Sequence, residues 1–135
     1  MKEKEAMKPR TVPWLAEIAK LDPSIRTIHL IEHRESDYVV VDHAGRKDLI
    51  DFYGTEERIH NFLTLAPAVI LGSSGTIHDI VGNPELITVL YEEVVLAYVP
   101  VDEDVIVLSL SRDAYPIVAQ VAKKILEFAT SKRKN

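Results

Sequence analysis

The chain has no cysteine among its 135 residues, and only five glycines, one tryptophan and three phenylalanines. Without cysteine there is no disulfide framework and no thiolate chemistry. The absence fits a reducing compartment, and a cytoplasmic location is the expectation. A chain of this length reads as one domain and buries a sufficient core without covalent staples. No apolar run approaches the roughly 20 residues of a membrane-spanning helix. The opening residues Met1-Lys-Glu-Lys-Glu-Ala-Met-Lys8 lack the apolar stretch of a signal peptide.

Positive charge is scarce in the body of the chain. Four of the 16 Lys and Arg lie in residues 1–10 and three in 132–134, whereas only Glu3 and Glu5 of the 21 acidic residues lie there. The remainder carries 9 basic against 19 acidic residues, a net of −10. Such a surface repels phosphate backbones, so no nucleic-acid partner is expected. Residues 1–12 read as a flexible tail, 13–130 as the single domain and 131–135 as a basic, polar C-terminal tail.

Apolar periodicity divides the domain. Trp14, Leu15, Ile18 and Leu21 share one face of a short helix that Asp22-Pro23-Ser24 ends. Ile25–His33 reads as a strand, Arg34–Asp37 as a turn and Tyr38–Asp42 as the returning strand, followed by a turn at Ala44-Gly45. Residues 47–53 stay ambiguous. Thr55 is a good N-cap for a long middle helix, with Ile59, Phe62, Leu63, Ala66, Val69 and Ile70 as its apolar stripe. Pro67 should kink that helix, and Gly72-Ser-Ser-Gly75 should break or loosen it. Thr76–Val81 adds a further turn or two before Gly82-Asn-Pro84. Three strands follow: Ile87–Tyr91, Val94–Val101 and Val105–Leu110. The last helix begins near Tyr115-Pro116, with Ile117, Val121, Ile125 and Phe128 as its buried stripe.

Two strands and then three, separated by one helix, require a crossover. The expected architecture is an α+β, α/β/α sandwich: a five-stranded antiparallel sheet of order 2-1-5-4-3, with elements running α-ββ-α-βββ-α. Its core should contain Ile28, Leu30, Val39, Val41, Leu96, Val105, Val107, Leu108, Leu110, Val121 and Ile125.

Signatures of chemistry are weak. Gly72-Ser-Ser-Gly75-Thr76 lacks the Gly-Lys-Ser/Thr ending of a phosphate loop, and its second glycine comes one residue too early for a nucleophile elbow. His29, His33 and His43 would converge if the first hairpin pairs tightly, with Asp42 beside His43, but scattered surface histidines explain them equally well. His60 and His78 have no convincing co-ligands. Carboxylates at Glu92, Glu93 and Asp113 fit solvated turns better than an acid–base pair. No catalytic residue, cofactor or metal is therefore expected.

The element order and the segments Gly82-Asn-Pro-Glu-Leu-Ile-Thr-Val-Leu-Tyr91 and Leu96–Leu110 resemble the Roadblock/dynein light chain family, whose fold is profilin-like. The resemblance spans about residues 13–130. It implies a non-enzymatic, dimeric regulatory or scaffold protein whose partner is a small Ras-like GTPase or a related switch protein. Profilin and longin domains share much of this order, so a ligand-sensing module with a pocket beside Trp14 or Tyr98 is the second reading. A small enzyme with an unrecognised site is the third. Independently of any family, the strand order leaves Leu86–Tyr91 as an edge with no charge along it. A homodimer is expected there, using Ile87, Val89 and Tyr91 together with Phe62, Val69, Ser73, Ser74 and Ile77 of the middle helix.

Overall fold

A computed structural model describes residues 12–35, 37–46, 61, 63–65, 67 and 76–134. A short helix α1 (Leu15–Ile18) leads into strands β1 (Ile25–Arg34) and β2 (Asp37–Gly45). Helix α2 (Thr76–Val81) precedes β3 (Ile87–Leu90), β4 (Val94–Val101) and β5 (Asp104–Ser111). A 3₁₀ segment, Arg112–Ile117, then feeds the long helix α3 (Val118–Lys134). All neighbouring strands are antiparallel, in the order β2-β1-β5-β4-β3. Of the expected middle helix, Asn61, Leu63, Thr64 and Leu65 are helical. Pro67 lies buried in a π-helical turn, a local widening that suits a residue unable to donate its backbone hydrogen bond. The cap at Thr55, the Gly72–Gly75 break and residues 47–53 lie outside the described residues.

The sheet separates two apolar layers. Ile28, Leu30, Val41, Val99, Ile106 and Leu108 meet α1 and α3 through Leu15, Ile18, Val121 and Ile125. On the other face, Ile31, Leu96, Tyr98, Val105 and Val107 pack with Leu63 of the middle helix. The central strands β4 and β5 are therefore buried on both faces, which explains their nearly unbroken runs of valine, leucine and isoleucine. All eleven residues expected in the core are buried.

A bulge sets the register of the first hairpin. Leu30 faces Asp42 and Ile31 faces Val40, so Val41 has no counterpart on β1. The irregularity puts Val39 and Val41 in the α1–α3 layer and Val40 against the other. It also turns Asp42 toward the N-terminal segment, where one carboxylate oxygen accepts the Val12 N–H at 2.7 Å. Val12 is thereby buried in the core and belongs to the domain rather than to a tail. Ala44 and Gly45, expected as a turn, are the last residues of β2. Gly45 has φ +106°, and a Cβ there would lie 2.6 Å from the Arg26 carbonyl oxygen, so only glycine fits against β1.

The C-terminal helix differs from expectation at both ends. Because residues 112–117 wind as 3₁₀ with three residues per turn, Ile117 rotates off the sheet and is 37% exposed, and Val118 takes the inward position. At the far end the helix runs to Lys134, through the segment expected as a polar tail. Arg133 pairs with Asp104 at 2.9 Å and lies 3.8 Å from Asp102, and Lys132 lies 3.7 Å from Glu17. The Lys132–Glu17 and Arg133–Asp102 contacts are solvated and contribute little, whereas the half-buried Arg133–Asp104 pair is the stronger, and together they favour a helical last turn.

Three polar residues, Thr27, His29 and Ser109, are buried on the face that carries Leu63. The Thr27 and Ser109 hydroxyls share a hydrogen bond, and Ser109 Oγ also accepts the Thr27 N–H at 3.1 Å. Burial depresses the His29 pKa from 6.5 to about 4, with a smaller contribution from the charge on His43. The unfolded chain therefore binds this proton more readily than the native one. Stability should be fully present above pH 6.5 and fall by about 3 kcal/mol as pH drops through the window to about 4. Urea unfolding across that range checks this, and His29→Leu should flatten that part of the profile. Leu110→Ala, at a site with no solvent exposure, should cost about 2–5 kcal/mol by the same measurement.

Candidate interaction surface

The edge strand β3 is short because the chain enters and leaves it abruptly. Gly82, at φ +88°, ends α2 in the left-handed conformation that lets the chain turn away. Pro84 then forces extended backbone toward Ile87. At the other end Tyr91 N–H donates to the Val94 carbonyl, closing the turn into β4. The Arg112 guanidinium clamps this turn from the neighbouring segment, donating to the carbonyls of Tyr91 at 2.9 Å and Glu92 at 3.0 Å. Sequence reasoning left Arg112 undistinguished. Nothing in its spacing announces that the 3₁₀ segment carries it back beside β3.

β3 pairs with β4 on one side, Ile87 opposite Tyr98 and Val89 opposite Leu96. Its other side forms the boundary of the sheet. Ile87 and Val89 are half-buried and pack on the layer that holds Leu63. Thr88 and Leu90 point to the opposite face, where Leu90 is 43% exposed; Tyr91, just beyond the strand, is 40% exposed. Leu65, Ile80 and Val81 of the helical segments are exposed as well. A strand that pairs with only one other described strand, carries no charge from Leu86 to Tyr91 and displays exposed apolar side chains has the character of an association edge.

Only some of the residues expected at an interface lie among the described ones. Ile87, Val89 and Tyr91 lie along this edge, with Ile87 and Val89 turned inward so that backbone rather than these side chains forms the rim. Ile77 lies in α2. Phe62, Val69, Ser73 and Ser74 lie outside the described residues. Leu65, Ile80, Val81 and Leu90 were not singled out from sequence. For Leu90 the strict alternation from Val89 was an available signal.

The histidines separate. His29 and His43 are directly opposed on β1 and β2, with ring centroids 5.8 Å apart. His33 instead stacks on Tyr38 at 4.7 Å. The bulge turns Asp42 to the other face of the sheet, so it does not join them. No set of three or more His, Cys, Asp or Glu suited to a metal occurs among the described residues. Tyr98, which a ligand pocket would need at its wall, is instead packed in the inner layer, and burial raises its phenol pKa to about 12. No helix among the described residues is long and apolar enough to cross a membrane.

The sheet order, the two covering layers and the short edge strand define a Roadblock-like α+β fold. No family model matches the chain and no curated protein matches it. Solved structures do. Myxococcus xanthus MglB superposes with a TM-score of 0.61 at 14% identity, covering 89% of this chain and 84% of that one. A structure of MglB with a tetrameric arrangement gives 0.63 at 13% identity, covering 93% of each chain. The Roadblock/LC7 domain from Streptomyces avermitilis gives 0.53 at 12% identity, covering 93% of this chain and all of that domain. At such identities the likeness is one of fold.

Proposed function

We propose that this protein is a non-enzymatic regulatory or scaffold protein that forms a homodimer through β3 and binds a small Ras-like GTPase or a related switch protein. The carrying observation is the uncharged edge from Leu86 to Tyr91, which lies at the boundary of an otherwise well-buried sheet. Pairing two copies of β3 across a two-fold axis would give their outward N–H and C=O groups partners and extend the five strands into one continuous sheet. The middle helices then lie on the same side of the joined sheet, because Leu63 packs on the face that Ile87 and Val89 share. Phe62, Val69, Ser73, Ser74 and Ile77 would complete the contact there. The GTPase partner follows from the Roadblock resemblance, in which dimeric domains serve as platforms for such switches.

Light scattering at micromolar concentration should give the mass of a dimer. Tyr91 N–H bonds across to Val94, so Val89, two residues back, directs its N–H at Leu96 of β4 and Thr88 directs its own outward. Thr88→Pro, which removes an outward donor and restrains the edge, should give a monomer that keeps its far-ultraviolet circular dichroism. A monomeric unmodified protein overturns the association. Capture on the immobilised dimer from a lysate of the source cells, with bound proteins identified by mass spectrometry, should retain a small GTPase. Retention of none overturns the partner while leaving the dimer standing.

A further inference from the structure

His29 is 4% exposed, yet no described residue forms a hydrogen bond with its ring. An imidazole with no hydrogen-bond partner among the described residues is one that a ligand could satisfy, since a polar group withdrawn from water without a compensating bond costs on the order of 1–3 kcal/mol. His43, directly opposite on β2, is exposed. The two rings lie on the same face of the sheet, tilted by 45°, with centroids 5.8 Å apart. We infer that His29 and His43 form a binding site for a divalent transition-metal ion, held by the two imidazoles with its remaining positions open to water or a further donor.

The spacing fits. A Zn–N bond of about 2.0–2.1 Å plus roughly 1.1 Å from nitrogen to ring centre puts each centroid about 3.2 Å from the ion. At a tetrahedral angle the centroids would then be about 5.2 Å apart, so the observed separation of 5.8 Å is within about 0.6 Å of what shared coordination needs, and coordination further requires rotation of the exposed His43 ring to turn a nitrogen toward the ion. The exposed His43 is free to make that adjustment, whereas His29 is fixed by its burial in β1. Burial also keeps His29 neutral, the form that ligates, at every pH above its depressed titration. Two imidazoles suit Zn²⁺, Cu²⁺ and Ni²⁺ rather than the hard, oxygen-seeking Mg²⁺. His33 is diverted by its stacking on Tyr38, so the pair stands apart from the third histidine of the hairpin.

Isothermal titration of the full chain with Zn²⁺ at pH 7.5 tests the site. One equivalent should bind and raise the unfolding temperature, Mg²⁺ at the same concentration should do neither, and a chelator should reverse the shift. His43→Ala, at an exposed position that leaves the core untouched, should weaken binding at least tenfold. His33→Ala should leave it unchanged. X-ray absorption on the loaded protein should show imidazole nitrogens at about 2.0–2.1 Å. Equal Zn²⁺ affinity in the unmodified protein and in His43→Ala, or no binding by the unmodified protein, overturns the site. His29→Phe serves as a second variant: if folded, it should also lose binding, and retained affinity would likewise overturn the assignment.

Discussion

The pairing of β1 with β5 sets Thr27 against Ser109 across 82 residues of chain, and the rest of the architecture depends on it. The N-terminal hairpin alone is marginal in water, and the C-terminal meander alone would leave the apolar strand β5 as an open edge. Joined at β1–β5 they make one sheet whose centre is covered on both sides. That seam also decides which strands become edges. With β1 and β5 in the middle, β2 and β3 are left at the two boundaries.

Those boundaries are treated differently. β2 carries the bulge at Val41 and is tied to the N-terminal segment by the Asp42–Val12 hydrogen bond, both of which disfavour further pairing. β3 is regular, uncharged and flanked by exposed apolar residues. The asymmetry gives the molecule one edge suited to association. Arg112 adds to it by holding the Tyr91–Glu92 turn, so the end of the edge is fixed in space rather than left to fray.

The inner face of the sheet has a comparable division. Around Leu63 the described side chains are aliphatic and tyrosyl, whereas toward the Gly45 end of β2 come first the two opposed histidines and then the Thr27–Ser109 hydroxyl pair. The hydroxyls satisfy each other. His29 has no hydrogen-bond partner among the described residues, and burial, with a smaller contribution from His43, depresses its titration. The electrostatics of this region therefore bear on stability at mildly acidic pH independently of what happens at the edge.

The sequence by itself determined the strands, their order and the core, because valine-rich runs of eight residues such as Val94–Val101 fit only a doubly covered strand, and a two-then-three grouping admits few crossovers. It also identified β3 as an edge, since that follows from the strand order and the absence of charge between Leu86 and Tyr91. What only the tertiary structure decided are features that depend on contacts distant in sequence or on local winding. Val41 becomes a bulge because β1 and β2 must each match the layers on both faces. Ile117 leaves the core because a 3₁₀ turn rotates differently from an α-turn. Arg112 reaches β3, and His29 and His43 meet without His33 or Asp42, through backbone geometry that no spacing of residue types records.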